Sequence, residues 1–146
     1  MREAQSRHDK TLKMVSIATD ARELVLFYNS NIKNHREIFA YAKSADAKLN
    51  AIDVSKENVT GTLYTELAGL LEIQVKDFIL TDHPSFIEKH GKNVELTNDG
   101  AIKILQNEPD MLIYPIATRG KTAIIAKLYG DITTLFQTDT AAVEIP

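Results

Sequence analysis

The sequence predicts an α/β fold in the order β-α-β, a helical insertion, then β-β-α. Three observations carry this. The continuous apolar run Leu24–Tyr28 passes into a pattern of helical period from Asn34 onward, the signature of a strand feeding a helix. The middle of the chain is leucine-rich at helical spacing. The last third changes to short strand-like runs on either side of Arg119-Gly120-Lys121.

Taken in order, residues 1–13 are polar and charged and read as a flexible extension. Met14–Ala18 alternates and suggests an extra edge strand, and Leu24–Tyr28 suits the centre of a sheet. Ile38, Ala42, Ala45 and Leu49, with Phe39 beside them, form one helix face. Asn50–Val54 is a short strand, so the first unit is a right-handed crossover between parallel strands. Leu63, Leu67, Leu70 and Leu71 predict a second helix, and Val75, Phe78 and Ile79 a shorter one. Pro84 and Gly91 bracket a further helix. Thr97 or Asn98 caps another that runs through Leu105 and stops before Pro109. Leu112–Ala117 and Thr122–Ala126 form a hairpin, followed by a closing helix carrying Ile132, Leu135 and Phe136. A β-α-β half and a β-β-α half flanking a helical insertion is the connectivity of a thioredoxin-like sheet, here over residues 14–137 with a tail at 138–146.

The chain of 146 residues is 44% hydrophobic and 25% charged, enough for one ordinary domain with a core. A net charge of -3 leaves no basic stripe for a nucleic-acid backbone, and direct nucleic-acid binding is not expected. No apolar run approaches the roughly 18 residues that span a bilayer, and the N-terminus is too polar for a secretory signal, so a cytoplasmic location without membrane contact is expected. There is no cysteine. That removes thiolate chemistry, disulfides and cysteine-ligated metals, and nothing in the sequence calls for a cofactor.

The segment FYNSNIKNHRE, Phe27 to Glu37, sits where the first strand hands over to the first helix. It resembles the strand-to-helix segment of the arsenate reductase family and its Spx-type regulators, which share a glutaredoxin-related fold: Tyr, small residues, Cys, two residues, Cys or Ser, then Arg. On that pattern Ile32 takes the first cysteine position, His35 the second, and Arg36 matches the arginine. Met111–Ala117, MLIYPIA, resembles the family's Leu-x-Arg-Pro-Ile segment, with Pro115 on the proline and Tyr114 in place of the arginine. The resemblance spans about residues 23–137. It implies a thioredoxin-like fold, a cis Pro115 beside which an extended peptide such as glutathione can pair, and a partner class like that of Spx-type regulators, which contact RNA polymerase.

Ile32 has no nucleophilic or ionisable atom, so the family's reduction of arsenate and its disulfide exchange have no counterpart here. Losing the arginine at Tyr114 removes an oxyanion partner as well. Two readings of Asn29–Arg36 remain. Ser30 or Asn31 caps the first helix while Lys33, His35 and Arg36 face water. Alternatively, free helix amides with those three side chains, and with Asn29, Ser30, Asn31, Tyr114 and Pro115, hold a small oxyanion or glutathione. A transferase-like use of Ser30 or Tyr28 to activate a bound thiol is a further alternative. The functional expectation is thus a redox-inactive binding or regulatory module with a protein partner, or a glutathione- or oxyanion-binding enzyme or carrier.

Other signals point to structure. PIATRGKT, Pro115–Thr122, misses the first glycine of a phosphate loop and is followed by a strand, so it reads as a hairpin. His83 and His90 lie seven apart without flanking carboxylate ligands and read as helix surface. No metal site is expected.

Overall fold

The computed structural model describes residues 23–45 and 48–136. The N-terminal extension, the expected edge strand at Met14–Ala18 and the tail from 138 lie outside the described residues. Within them the chain runs β1 (Leu24–Tyr28), α1 (Lys33–Ala45), β2 (Asn50–Asp53), α2 (Gly61–Leu71), α3 (Pro84–His90), α4 (Asn98–Asn107), β3 (Ile116–Arg119) and β4 (Thr122–Ile125). The sheet order is β2-β1-β3-β4. β1 and β2 are parallel, with Tyr28 opposite Asp53, and β3 is antiparallel to both β1 and β4.

Strand alternation divides the core. Leu24 and Leu26 point to one face of the sheet, where they pack with Ile38 and Ala42 of α1 and with Ala117, Ala126, Ile132 and Leu135. Val25 and Phe27 point to the other face, under the helical insertion, against Leu63, Tyr64, Leu67, Phe86, Leu105 and Met111. All four side chains of β1 from Leu24 to Phe27 have no exposed surface, as the continuous apolar run requires of a strand covered on both faces.

Local chemistry sets the ends of the elements. Thr60 caps α2 by accepting from the Leu63 amide at 3.1 Å, and Thr97 caps α4 through the Gly100 amide. α2 stops where Glu72 adopts φ 59°, with the Ile73 amide returning to the Ala68 carbonyl at 2.9 Å. A side chain in this left-handed conformation costs about 1 kcal/mol, which glycine avoids. Glu72→Gly is therefore expected to raise stability by about 0.5–1 kcal/mol, read as a higher urea midpoint at unchanged m-value.

Three expected elements are corrected. Val75–Phe78 is a single 3-10 turn, because the Asp77 carboxylate takes the Gln74 amide at 2.9 Å and closes it locally. The expected strand Leu112–Ala117 starts later, at Ile116. Pro109–Met111 forms another 3-10 turn just before it, and Pro115 has no amide for the ladder. The closing helix begins as a 3-10 turn at Tyr129–Ile132, its carboxylate Asp131 holding the Lys127 and Leu128 amides, and continues helically through Thr133–Phe136. The hairpin is as expected: Gly120 at φ 64° makes the turn between Arg119 and Thr122, which face each other, so the near-phosphate-loop is a turn between strands.

Candidate functional site

Of the flagged residues, Asn29 and His35 meet at the carboxyl end of β1, beside Ile113 of the segment that leads into Tyr114–Pro115. His35 makes both contacts. It lies in the first turn of α1 with no exposed surface, accepting the Asn29 amide on Nδ1 at 2.8 Å and donating from Nε2 to the Ile113 carbonyl at 2.8 Å. An amide can only donate and a carbonyl only accept, so the ring is neutral with its proton on Nε2. Burial is the first cause of its depressed pKa; the Ile113 carbonyl and the carboxylates of Asp110 and Asp53 oppose it. The expectation that His35 faces water is therefore corrected: His35 is a buried brace.

The helix-capping expectation changes too. The Arg36 amide bonds to the Ile32 carbonyl at 3.0 Å, so Ile32 stands at the cap position with a side chain that cannot cap. The loop amides before it are satisfied from inside the protein. Ser30 donates to Asp53 Oδ1 at 3.2 Å, Asn31 to Asn29 Oδ1 at 2.8 Å, and Ile32 to the Asn29 carbonyl at 3.1 Å. Arg36 turns back to the Ser30 carbonyl at 3.0 Å, while Lys33 is exposed.

Two carboxylates that sequence reasoning did not single out complete the arrangement. Asp53, mostly buried, accepts on Oδ1 from the Ser30 amide and from both the amide and hydroxyl of Ser55. Burial raises its pKa, but the hydrogen bonds of Ser30 and Ser55 outweigh it and hold the carboxyl below its ordinary value. Asp110 accepts from Asn29 Nδ2 at 2.7 Å. The available signal for Asp53 was its place at the end of the parallel strand next to β1, where loops of an α/β sheet meet. Beside it Glu57 is pushed up by burial and by the Asp53 charge, and its Oε1 is buried without a partner.

Tyr114 is half-buried, with Lys127 Nζ 5.6 Å from its ring centroid. Lys127, just past the end of β4, thus places a cation beside Tyr114. The bond before Pro115 is trans, against the cis form that the resemblance implied. Trans is the intrinsically favoured isomer, and the buried Pro115 uses its carbonyl to accept the Ala126 amide at 2.9 Å, continuing the hairpin. The support that a cis proline lent to peptide pairing is removed. Tyr28 stacks on Phe39 with centroids 4.7 Å apart, and burial together with Asp53 and Glu57 raises its pKa, the wrong direction for activating a thiol.

Elsewhere, His83 caps α3 through the Ser85 amide and His90 meets Glu108 at 3.1 Å. Among the described residues no three ligating side chains group as a metal site, and no helix is long and apolar enough to cross a membrane. A cavity of about 360 Å³ between Lys76–Thr81 and Val94–Leu96 includes none of the residues at Asn29–Arg36 or Tyr114–Pro115.

No family model matches this chain, and no curated protein matches it in sequence. Solved structures do. An arsenate reductase from Vibrio cholerae superposes with a TM-score of 0.65 over 80% of this chain and 99% of its own, at 14% identity. A putative arsenate reductase from Yersinia pestis gives 0.64 over 76% and 98%, also at 14% identity. At that identity the likeness speaks for the fold alone: this chain has the thioredoxin-like fold of the arsenate reductases.

Proposed function

We propose that this chain is a redox-inactive binding module on an arsenate reductase-type scaffold, acting through a protein partner. One observation carries the reading. In a sequence without cysteine, the loop amides at the head of α1 already bind the protein's own acceptors, with the Asp53 carboxylate seated on Ser30. A carboxylate held there by hydrogen bonds repels a second anion and leaves it few donors. What remains for an outside anion is the first turn of α1 itself.

A second reading, a cysteine-free carrier of glutathione or a small oxyanion, draws on Lys127 beside Tyr114 together with the exposed Lys33 and Arg36. The two readings separate in an NMR titration of labelled protein with glutathione, arsenate, phosphate and sulfate, following amides 29–36 and 113–116. The binding-module reading expects no shift at millimolar ligand and no reduction of arsenate or glutathione disulfide by contaminant-free protein. Saturable shifts confined to those amides establish the carrier instead. The version in which the partner is RNA polymerase, as for Spx-type regulators, expects a polymerase subunit in a pull-down and is lost if none is recovered.

A further inference from the structure

We propose that His35 is a proton-operated latch that holds the Asn29–Ile32 loop against α1 and releases it when the ring takes up a second proton. The geometry makes the two ring nitrogens unequal. Nε2 already carries its hydrogen and donates to Ile113, a bond that the imidazolium keeps. Nδ1 offers a lone pair to the Asn29 amide. Uptake of one solvent proton at Nδ1 sets an N–H against an N–H only 2.8 Å away, so that bond breaks and the ring gains one positive charge.

Release is directional. The Ile113 side stays attached, and the end that lets go is the loop, whose remaining ties include Ser30 to Asp53, Asn29 Nδ2 to Asp110, Arg36 to the Ser30 carbonyl, and the local bonds of Asn31 and Ile32 to Asn29. The charged groups bearing on the ring from the elements around it are Asp53 at the end of β2 and Asp110 in the turn before Ile113. Both carboxylates favour the charged ring, and both already hold the loop, Asp110 through the Asn29 side chain and Asp53 through the Ser30 amide. On the helix itself Arg36 is tied to the Ser30 carbonyl, and Lys33 is exposed. The imidazolium therefore finds anions rather than cations, and burial opposes its formation until the medium is acid.

The consequence is an acid-released loop at the carboxyl end of β1. Its use in regulating a partner rests on the binding-module reading, whereas the latch itself does not. The test follows the ring nitrogens of His35 and the amides of Asn29–Ile32 by heteronuclear NMR from pH 8 downward. At neutral pH the Nε2-protonated tautomer is expected. On acidification Nδ1 should become protonated with a midpoint below the ordinary histidine value of about 6.5, and the Asn29 amide should shift and lose exchange protection with that same midpoint.

In His35→Gln the loop transition should vanish, while His83→Ala and His90→Ala should keep it. Three results overturn the latch: an Nδ1-protonated ring at neutral pH, titration of His35 with no movement of the Asn29 amide, or loss of the whole spectrum over the same range as the ring titrates. The wild-type readout needs no variant to fold. Anion-induced shifts at 29–36 bear instead on the binding-module reading, so the two failures are told apart.

Discussion

Asp53→Ala is expected to lose about 3 kcal/mol of unfolding free energy at neutral pH, on the order of two charge-assisted hydrogen bonds. The carboxylate accepts from the Ser30 amide, the Ser55 amide and the Ser55 hydroxyl, and alanine leaves all three without it. Water reaches part of this loop, which keeps the loss below the sum of three bonds. Asp53→Asn retains an acceptor and should lose about half as much. Because the folded carboxyl has a lowered pKa, its contribution is complete above the unfolded value of 3.8 and fades as pH falls through the folded value. The wild-type stability curve should therefore drop more steeply in acid than that of Asp53→Ala. The same variant frees the Ser30 amide, and millimolar phosphate should shift that amide in the variant and leave it unmoved in the parent. Urea unfolding at neutral and acid pH measures the first effect. A loss under 1 kcal/mol would mean the carboxylate is an ornament of the loop instead of its anchor.

The fold was legible because its signals are periodic. β1 is an uninterrupted apolar run because both its faces are covered, and the stripe of Ile38 and Ala42 in α1 faces the Leu24 and Leu26 side. Thr97 and Pro84 mark helix starts by chemistry that acts within one turn. The misplaced boundaries fall where a single side chain decides the local outcome, as Asp77 and Asp131 do by taking nearby amides. Apolar spacing carries no information about such contacts.

The site was legible only as a location. Reading FYNSNIKNHRE as a strand-to-helix junction located the loop between β1 and α1, but the bonds that hold it join residues distant in sequence: Ser30 with Asp53, Asn29 with Asp110, and His35 with Ile113. Each needs the parallel register of β1 and β2 or the packing of the turn before β3. A histidine flanked by Asn34 and Arg36 also looks like helix surface, since polar neighbours hide its burial. That Ile32 carries no thiol says nothing about how the loop satisfies its amides.

His35→Ala is expected to be the most damaging single change in the loop, costing about 4 kcal/mol at neutral pH from a lost buried ring and two orphaned backbone groups. The Asn29 amide is fully buried and has no second acceptor among its described bonds, so its desolvation is felt in full. The Ile113 carbonyl is less enclosed and recovers part of its loss from water. Asparagine and glutamine each replace one of the two bonds, Asn reaching the Nδ1 position and Gln the Nε2 position, and should cost about half as much. The pH dependence has the same sign as that of Asp53, although the cause differs: here burial holds the folded ring neutral. Its pKa is depressed, so the unfolded chain binds the extra proton more readily, and stability from His35 is complete above the unfolded value of about 6.5 and lost as pH falls below it toward the folded value. Wild-type protein should therefore weaken between pH 6.5 and mildly acid conditions, and His35→Ala should show a flatter curve there. Denaturant unfolding of both proteins across that range decides it. Parallel curves would show that the ring titrates alike folded and unfolded, and the buried neutral brace would then be the wrong description of this residue.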